Sequence, residues 1–433
     1  MAEQGIIPLG PFRGINNIDP RQSRGFQLPQ GPEDPPPFLR AAINVDLDRQ
    51  GWPRRRSGQT KIMGLSDGHS GFAVGNQLYL VDGTELIRVD GRSYETAVVA
   101  TGLTAGKRVS FAEHAGDVYW TNGEQKGRIR TGVNTYWGVP RPRITGLSQT
   151  PGPLLPGRYM VAVTGQMVDG TESGAYAAQV IDLTQGAIVV NVLAETPYVN
   201  LFVTDANGNT LYWAGSVAAS QFPYTISETN VSTQALDVIG CTEPPPGQIV
   251  RSFRGWLLVA SAHMLYFSMP VSPHLFHPST DYQMFEDEIV MMEPLTEGVF
   301  IAVRDRTYWV EGTSPADWRP RLVDTRKVVA GPGLRLPGRK IAGLNAETVY
   351  RRVQQPANEV VMWMTEDGPA VGLPGGQVQM LFDGAVAMDK ATSASMAFRE
   401  LDGIRQVLMS LQHTTENRFA TTDRVSCTVI KAQ

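Results

Sequence analysis

Two-residue turn signals recur along this chain and limit its fold more than any other feature. Gly75-Asn76, Asp82-Gly83 and Asp90-Gly91 each separate short apolar runs, and Asn or Asp beside Gly is the strongest short hairpin signal. The same kind of hairpin returns over residues 110–130, 249–268, 298–312, 359–382 and 394–411. With 44 Gly and 30 Pro in 433 residues, long helices are disfavoured. The pattern predicts an all-β chain built from repeated meanders.

Five or six meanders that each end in an open strand edge become stable only by packing face to face. A radial arrangement leaves short, protected edges, so the repeats indicate a β-propeller, and their uneven spacing makes it an irregular one. Periodicity alone also permits a helix over Ala394–Leu411, but Asp402-Gly403 would interrupt it.

Residues 150–243 differ from the meanders on both sides. They contain about seven short strand patterns between Pro151-Gly152-Pro153 and Pro244-Pro245-Pro246, which is typical of a fibronectin type III-like sandwich. We therefore predict five segments. They are an extended arm (1–40), a first propeller part (41–149), an inserted β-sandwich (150–243), a second propeller part (244–411) and a C-terminal segment (412–433).

The first 38 residues hold eight prolines and five glycines and have no apolar periodicity. One interpretation is a disordered tail. The other is an arm that lies along a neighbouring subunit, since it carries apolar residues at intervals. These residues are Ile6, Ile7, Phe12, Ile15 and Phe26.

Charge and cysteine content narrow the class of protein. The net charge of −4 provides no general attraction to nucleic acid. Two cysteines, Cys241 and Cys427, make no disulfide framework, which favours folding in a reducing compartment. The first ten residues lack a signal-peptide pattern, and no apolar run is long enough to span a membrane. We expect a soluble protein made inside the cell, without a membrane span.

Four groups of motifs, in this order, resemble a family of viral proteins. The first is Gly14-Ile15-Asn16-Asn17, followed by Ala42 to Asp48 and Arg54-Arg55-Arg56-Ser57-Gly58. The second is Gly157-Arg158-Tyr159 with Gly170-Thr171-Glu172-Ser173. The third is Pro244 to Gln248, Arg254 to Ala260 and Leu265-Tyr266-Phe267-Ser268. The fourth is Glu293 to Ile301, closing on Thr307 to Gly312, and a weaker match runs from Trp363 to Phe382. In these motifs the chain resembles the nozzle, tail tubular B or tail-hub β-propeller proteins of short-tailed bacteriophages.

The resemblance implies a structural virion protein of the phage tail, made in the host bacterial cytoplasm. It implies a homo-oligomeric ring, usually six-fold, below the portal and adaptor at the head–tail connection. The genome would pass through its lumen during DNA ejection without sequence-specific binding. The family has no catalytic residues to transfer to this chain, so we predict no enzyme activity and no cofactor.

Three local motifs invite a chemical interpretation. Gly64-Leu65-Ser66-Asp67-Gly68 fits the nucleophile-elbow pattern, but a strand pattern follows where a helix is required, so we favour a serine turn. His274 and His277 could ligate a metal, but they lie between prolines without a third ligand nearby, so a structural role is favoured. Asn230-Val231-Ser232 fits a glycosylation acceptor without any secretory signal.

Acidic residues support an alternative function. Asp281, Glu286, Asp287 and Glu288 could supply the acid and base of a glycosidase. The alternative is therefore a glycan- or receptor-binding β-propeller, with glycan cleavage as a further possibility, used in host attachment. Solvated loop carboxylates are the more ordinary explanation of such a cluster.

Arg49, Arg54, Arg55, Arg56 and Lys61 form the densest basic stretch. Such a stretch could face DNA phosphates or an acidic partner ring. It could equally line one solvated strand face, with its arginines paired to the nearby Asp46 and Asp48. We favour the partner, because a conduit that binds phosphates tightly would slow its cargo. The predicted assembly contacts are Ile6, Ile7, Phe12, Phe26, Arg54, Arg55, Arg56 and Lys61.

Overall fold

The computed structural model describes residues 11–12, 15–20, 27, 34, 36–43, 45–47, 51–55, 61–229, 231–312, 314–341, 358–381, 390–401, 404–412 and 426–432. The chain divides into two compact units. One unit is Leu65–Met284, and the other combines Met1–Gly64 with Phe285–Gln433. In the second of these units, β1 (Val45–Leu47) and β2 (Pro53–Arg55) form an antiparallel pair.

Two four-stranded antiparallel meanders open the unit Leu65–Met284. Sheet I contains β3 (Gly68–Val74), β4 (Gln77–Asp82), β5 (Glu85–Asp90) and β6 (Thr96–Ala100). Sheet II contains β7 (Ser110–His114), β8 (Asp117–Thr121), β9 (Lys126–Arg130) and β10 (Val133–Thr135). The β7–β8 turn has Ala115 at φ 52° and Gly116 at φ 85°. Two positive φ angles are those of the primed turns, whose twist matches that of the strands they join.

A seven-stranded sandwich follows. Its strands are β11 (Arg143–Leu154), β12 (Gly157–Gln166), β13 (Gln179–Leu183), β14 (Gly186–Leu193), β15 (Tyr198–Val203), β16 (Tyr212–Ala218) and β17 (Tyr224–Ile226). One sheet has the order β11-β14-β17 and the other β13-β12-β15-β16. Side chains from both sheets meet in one core, which includes Ile188 and Val190 from the first sheet and Val161 and Leu201 from the second. The sandwich begins at Arg143, before the predicted boundary at residue 150.

Sheet III completes this unit with β18 (Ile249–Phe253), β19 (Trp256–Ser261), β20 (Met264–Met269), β21 (Ser272–Phe276) and β22 (Tyr282–Met284). The three sheets pack in sequence order. Phe72 of sheet I stacks on Phe111 of sheet II at 5.6 Å between ring centroids, and Trp137 lies between Tyr119 and Phe276. The first strands of sheets II and III also contact each other. The backbone amide of Val250 in β18 donates a hydrogen bond to Ser110 Oγ in β7 at 3.0 Å.

The other unit has three further sheets. Sheet IV contains β23 (Met291–Pro294), β24 (Gly298–Val303), β25 (Arg306–Glu311) and β26 (Arg319–Asp324). Sheet V contains β27 (Leu334–Pro337), β28 (Glu359–Thr365), β29 (Gly368–Leu373) and β30 (Gln377–Met380). Sheet VI contains β31 (Ser393–Leu401), β32 (Ile404–Gln412) and β33 (Ser426–Ala432). A one-turn helix, α1 (Gly338–Ile341), follows β27, and short 3-10 turns occur at Ala219–Gln221, Pro315–Asp317 and Pro374–Gly376.

Sheets IV, V and VI also pack in sequence order. The fully buried Phe300 ring lies 4.7 Å from Trp309 of its own sheet and 5.2 Å from Trp363 of sheet V. Met362 of sheet V and Met409 of sheet VI share a second core. Burial of these large side chains is the main stabilising term for each pair of sheets.

These elements confirm the predicted fold class, an all-β chain of irregular propeller type with an inserted sandwich. Residues 394–411 form two strands and not a helix. The last sheet continues past residue 411, where the second propeller part was predicted to end, because β33 pairs with β32. Among the described residues, no helix is long and apolar enough to cross a membrane.

Candidate functional site

Of the assembly contacts predicted in the arm, the structure describes only Phe12. Ile6, Ile7 and Phe26 lie outside the described residues. Phe12 is half-buried, and its amide donates to Gly51 O at 2.9 Å. Gly51 has φ +89°, and a Cβ there would lie 2.6 Å from Phe12 O. This part of the arm is therefore held against its own chain, just before β2.

The basic stretch lies partly on β2. Arg54 and Arg55 are exposed, Arg54 faces Asp46 across the β1–β2 pair, and Lys61 is exposed further along the chain. Arg49 and Arg56 fall outside the described residues. Large apolar side chains occur in the same stretch and leave much of their surface in water. They are Ile43 (83% exposed), Trp52 (38%) and Ile62 (58%).

We call Ile43, Trp52, Arg54, Arg55, Lys61 and Ile62 the basic-apolar segment. Trp and Arg are the residues most enriched at the centres of protein interfaces, whereas a surface for DNA phosphates needs no apolar residues. The composition therefore suits a protein partner better than nucleic acid.

A partly buried group of charges joins the sandwich to sheet II. Arg130 of β9 binds Asp117 of β8 through Nη2 at 2.9 Å and Nε at 3.0 Å. Arg128 of β9 reaches Asp169, in the loop after β12, at 3.2 Å, and Arg130 reaches the same carboxylate at 3.4 Å. The side chains of Arg128 and Asp117 are only 10% and 12% exposed. We call Asp117, Arg128, Arg130 and Asp169 the charged joint.

Electrostatics favour the charged form of Asp169. Burial acts to raise its pKa, but hydrogen bonds from Thr171 and Arg128 outweigh it, so that the pKa of Asp169 lies below its ordinary value. Asp117 in turn raises the pKa of the Arg130 guanidinium by accepting its hydrogen bonds. Both shifts favour the charged forms of Asp169 and Arg130.

The same sandwich loop also contacts sheet III. The backbone carbonyl of Glu172 lies 3.1 Å from His274 Nε2, and Trp137 Nε1 donates to Pro273 O at 2.8 Å. The Glu172 carboxylate accepts hydrogen bonds from Thr164 and from Asn200, the latter at 2.8 Å. The loop after β12 thus contacts sheet II through Asp169 and sheet III through the Glu172 carbonyl of the motif Gly170-Thr171-Glu172-Ser173.

This contact gives His274 a structural role. Burial lowers the pKa of His274 and keeps its ring neutral. The ring of His277 is hydrogen-bonded to Thr280 at 2.7 Å. In the part of the chain that the structure describes, no group of three His, Cys, Asp or Glu side chains could hold a metal ion.

Three of the four carboxylates considered for a glycosidase, Glu286, Asp287 and Glu288, form ion pairs with neighbouring arginines. Glu286 pairs with Arg306 at 3.3 Å and also accepts the Tyr308 hydroxyl. Glu288 and Asp287 pair with Arg304 at 3.3 and 3.7 Å. Burial raises the pKa of Glu286, but the Tyr308 and Arg306 hydrogen bonds lower it more. A glycosidase general acid needs a raised pKa, so Glu286 is poorly suited to that role.

Ser66 also lacks the surroundings of a nucleophile. Its hydroxyl donates to Asp82 Oδ1 at 3.0 Å, and its amide donates to the same carboxylate at 3.2 Å. The segment continues directly into β3 rather than into a helix. Ser66 therefore caps a turn, as the sequence predicts.

Sequence reasoning missed the charged joint. Its only sequence signal was the alternation Arg128-Ile129-Arg130 with Asp117 on the preceding strand, which places both arginines on one face. The partner carboxylate, Asp169, belongs to a different sheet system, and no local pattern links it to β9.

Comparisons with known proteins add little to this picture. No family model matches the chain, and no curated protein matches it. An auxiliary nutrient binding protein from Bacteroides thetaiotaomicron is 9% identical, with 79% of this chain and 67% of that chain covered and a TM-score of 0.36. The Neurospora crassa Pan2 WD40 domain is 7% identical, covering 79% and 85%, with a TM-score of 0.32. Regucalcin, a calcium-binding protein from Agrobacterium tumefaciens, is 9% identical, covering 86% and 92%, with a TM-score of 0.30. At such TM-scores these similarities support no functional statement, and the class of the chain follows from its own sheets.

Proposed function

We propose that the chain is a structural subunit of a bacteriophage tail, a ring-forming nozzle or hub protein below the portal and adaptor. It would form part of the conduit through which the genome leaves, without catalysing a reaction. The order of the motifs described above supports the assignment to this family of phage tail proteins. One structural observation supports the role as a structural subunit. The sandwich inserted among the propeller-type sheets is held to sheet II by the partly buried charged joint.

A rigidly held insertion suits a building block. A binding module that searches for a ligand gains from a mobile tether, whereas a ring subunit must present its surfaces at fixed angles. Arg128, a largely buried side chain of sheet II, donates to Asp169 of the sandwich loop at 3.2 Å, and a charge-assisted hydrogen bond of this kind constrains direction as well as distance.

Charge also suits a conduit. Between residues 150 and 243 the sequence contains eight Asp or Glu and a single basic residue, Arg158. Such a surface repels phosphates at short range, so DNA would pass without being retained. The basic-apolar segment would contact protein neighbours in the assembled ring.

Imaging and mass spectrometry of purified phage particles test the proposal. We expect the protein at a fixed copy number in the tail, and its absence from the particles would refute the assignment. For the assembly surface, we expect Arg54→Glu/Arg55→Glu to abolish oligomers in sedimentation while the monomer stays folded. Arg92→Glu/Arg254→Glu is the matched control, since both arginines are exposed outside the segment and the charge change is identical. Equal effects of the two pairs would count against the segment.

A further inference from the structure

One backbone position of the sandwich has no partner on one side of its strand. β12 pairs with β13 at Val161↔Gln179, and further along the same strand Gly165 exchanges hydrogen bonds with Ser173, both at 2.8 Å. Alternate residues of an antiparallel strand point their N–H and C=O to the same side, so those of Val163 face the same way as those of Val161 and Gly165. Among the described residues, neither group of Val163 has a hydrogen-bond partner there.

The segment 174–178 bows away from β12 and leaves this gap in the ladder. The Ala175 amide donates to Val238 O at 3.0 Å, and the Ala175 carbonyl accepts from the Gly240 amide at 2.9 Å, so both groups are engaged by a different segment. The side-chain carboxamide of Gln179 is also held elsewhere, because its Nε2 donates to Ile144 O at 3.0 Å.

A pocket of about 200 Å³ lies in this gap. Its walls include residues of β12, of the bowed segment and of the start of β11, namely Ala162, Val163, Tyr176, Ala177, Pro142 and Ile144. One water molecule occupies about 30 Å³ in the liquid, so the pocket has room for a group larger than a single bridging water. The Tyr176 ring, 47% exposed, lies at the rim with the Arg141 guanidinium 4.0 Å from its centroid.

The direction of the two free strand groups selects the chemistry of the ligand. A partner must present a hydrogen-bond acceptor and a donor side by side on one edge, both aimed at the strand. A primary carboxamide does so, because its carbonyl and the N–H cis to the carbonyl oxygen point the same way. A trans secondary amide points these two groups in opposite directions, and an ionised carboxylate has no donor.

The ligand must also enter the gap end-on. The ladder is closed on both sides of Val163, by Gln179 and by Ser173, so no further strand can pair along β12 at this position. The carboxamide therefore has to lie at the tip of a short stem. Aliphatic surface from Pro142 and Ile144 in the pocket wall suits the methylene groups of such a stem.

We propose that this pocket binds a pendant primary carboxamide, the group at the end of a glutamine side chain. The carboxamide oxygen accepts from the Val163 amide, and its cis N–H donates to the Val163 carbonyl, which supplies the ladder partner that the strand lacks. Free glutamine and a glutamine side chain of a partner polypeptide carry this same group. The site belongs to the sandwich and does not depend on the role in a phage tail.

Ligand-observed NMR titrations on the full chain test the site, with L-glutamine and the tripeptide Gly-Gln-Gly as probes. We expect saturation transfer to the side-chain methylene protons of glutamine in at least one probe. Binding of L-glutamine alone assigns the site to the free amino acid, and binding of the tripeptide assigns it to a polypeptide side chain. If neither probe binds, the proposal is wrong.

Three matched ligands test the recognition chemistry. Methylation of the side-chain nitrogen of glutamine produces a trans secondary amide, and glutamate lacks the donor, so we expect each to bind about tenfold more weakly than glutamine or worse. Equal binding of the methylated ligand would overturn the proposal. Equal or tighter binding of glutamate would do so too, because it assigns recognition to Arg141 and Arg143 at the rim. Uracil carries a donor beside an acceptor on a ring, and tighter binding of uracil than of glutamine would rule out a pendant group.

A variant that obstructs the gap locates the binding. Ala177 is an exposed residue of the pocket wall, and Ala177→Phe should fill the space in front of Val163 and reduce affinity about tenfold or more. Ala105→Phe is the matched control, since Ala105 is exposed outside the pocket and the added ring is the same. Should Ala177→Phe fail to fold, Ala177→Leu is a smaller obstruction with the same expected direction. Unchanged affinity in a folded Ala177 variant, or an equal loss in Ala105→Phe, would contradict the assignment.

Discussion

The charged joint is the feature whose removal should most change the unit Leu65–Met284. Asp117→Asn keeps the shape of the side chain but removes the carboxylate that binds Arg130 through two nitrogens at 2.9 and 3.0 Å. Removing one partner of a buried ion pair costs about 3–5 kcal/mol, because the remaining charge stays buried without compensation. Arg130 is 47% exposed and still lies 3.4 Å from Asp169, so its charge is not left buried, and we expect a smaller loss of about 2 kcal/mol, within the range of hydrogen bonds to charged groups.

This loss should be easy to measure. For a unit of this size, 1 kcal/mol corresponds to about 2–4 °C in Tm, so Asp117→Asn should lower Tm by about 4–8 °C. Urea unfolding followed by tryptophan fluorescence gives the same free energy independently. Asp182→Asn is the matched control. It breaks the Arg158–Asp182 pair at 3.6 Å, whose side chains are 67% and 77% exposed, and should cost at most about 1 kcal/mol. If Asp117→Asn is no more damaging than Asp182→Asn, the charged joint contributes no more to stability than a surface ion pair.

Three further outcomes test other parts of the structure. Backbone amides of Ser93 and Arg92 and the side chain of Gln77 lower the pKa of Asp90 to about 2, so its stabilisation is present above pH ~4 and is lost as pH falls through about 2. Asp90→Asn should therefore flatten the dependence of Tm on pH in that window, and an unchanged slope would refute this. Burial raises the pKa of Cys241 to about 11, so in a Cys427→Ser background its reaction with iodoacetamide at pH 8 should be slow until denaturant is added. Phe300→Ala should cost about 3–5 kcal/mol in urea unfolding, since the fully buried ring contacts Trp309 and Trp363; a loss under about 1 kcal/mol would mean that this core is not tightly packed.

Local patterns predict the hairpins because the signal and the structure lie in the same few residues. Gly75-Asn76 and Arg254-Gly255 form two-residue turns where the sequence places them. The third strand of the last sheet was not predicted, since β33 follows a stretch without turn signals and is identified only by its partner, β32. Strand pairing across such a separation depends on tertiary context, which propensity does not encode.

The candidate sites also differ in whether the sequence alone reveals them. The basic stretch is visible in the sequence because its members lie close together along the chain. The charged joint, in contrast, unites residues 41 positions apart in sequence.

One loop therefore serves two purposes in the sandwich. Asp169 and the Glu172 carbonyl face outward to sheets II and III and fix the orientation of the sandwich. Ser173, at the end of the same loop, bonds instead to Gly165 of its own sandwich strand. The two sets of bonds share no atom. The contacts of the sandwich with its neighbouring sheets can therefore be altered without changing the bonds that hold the loop to β12.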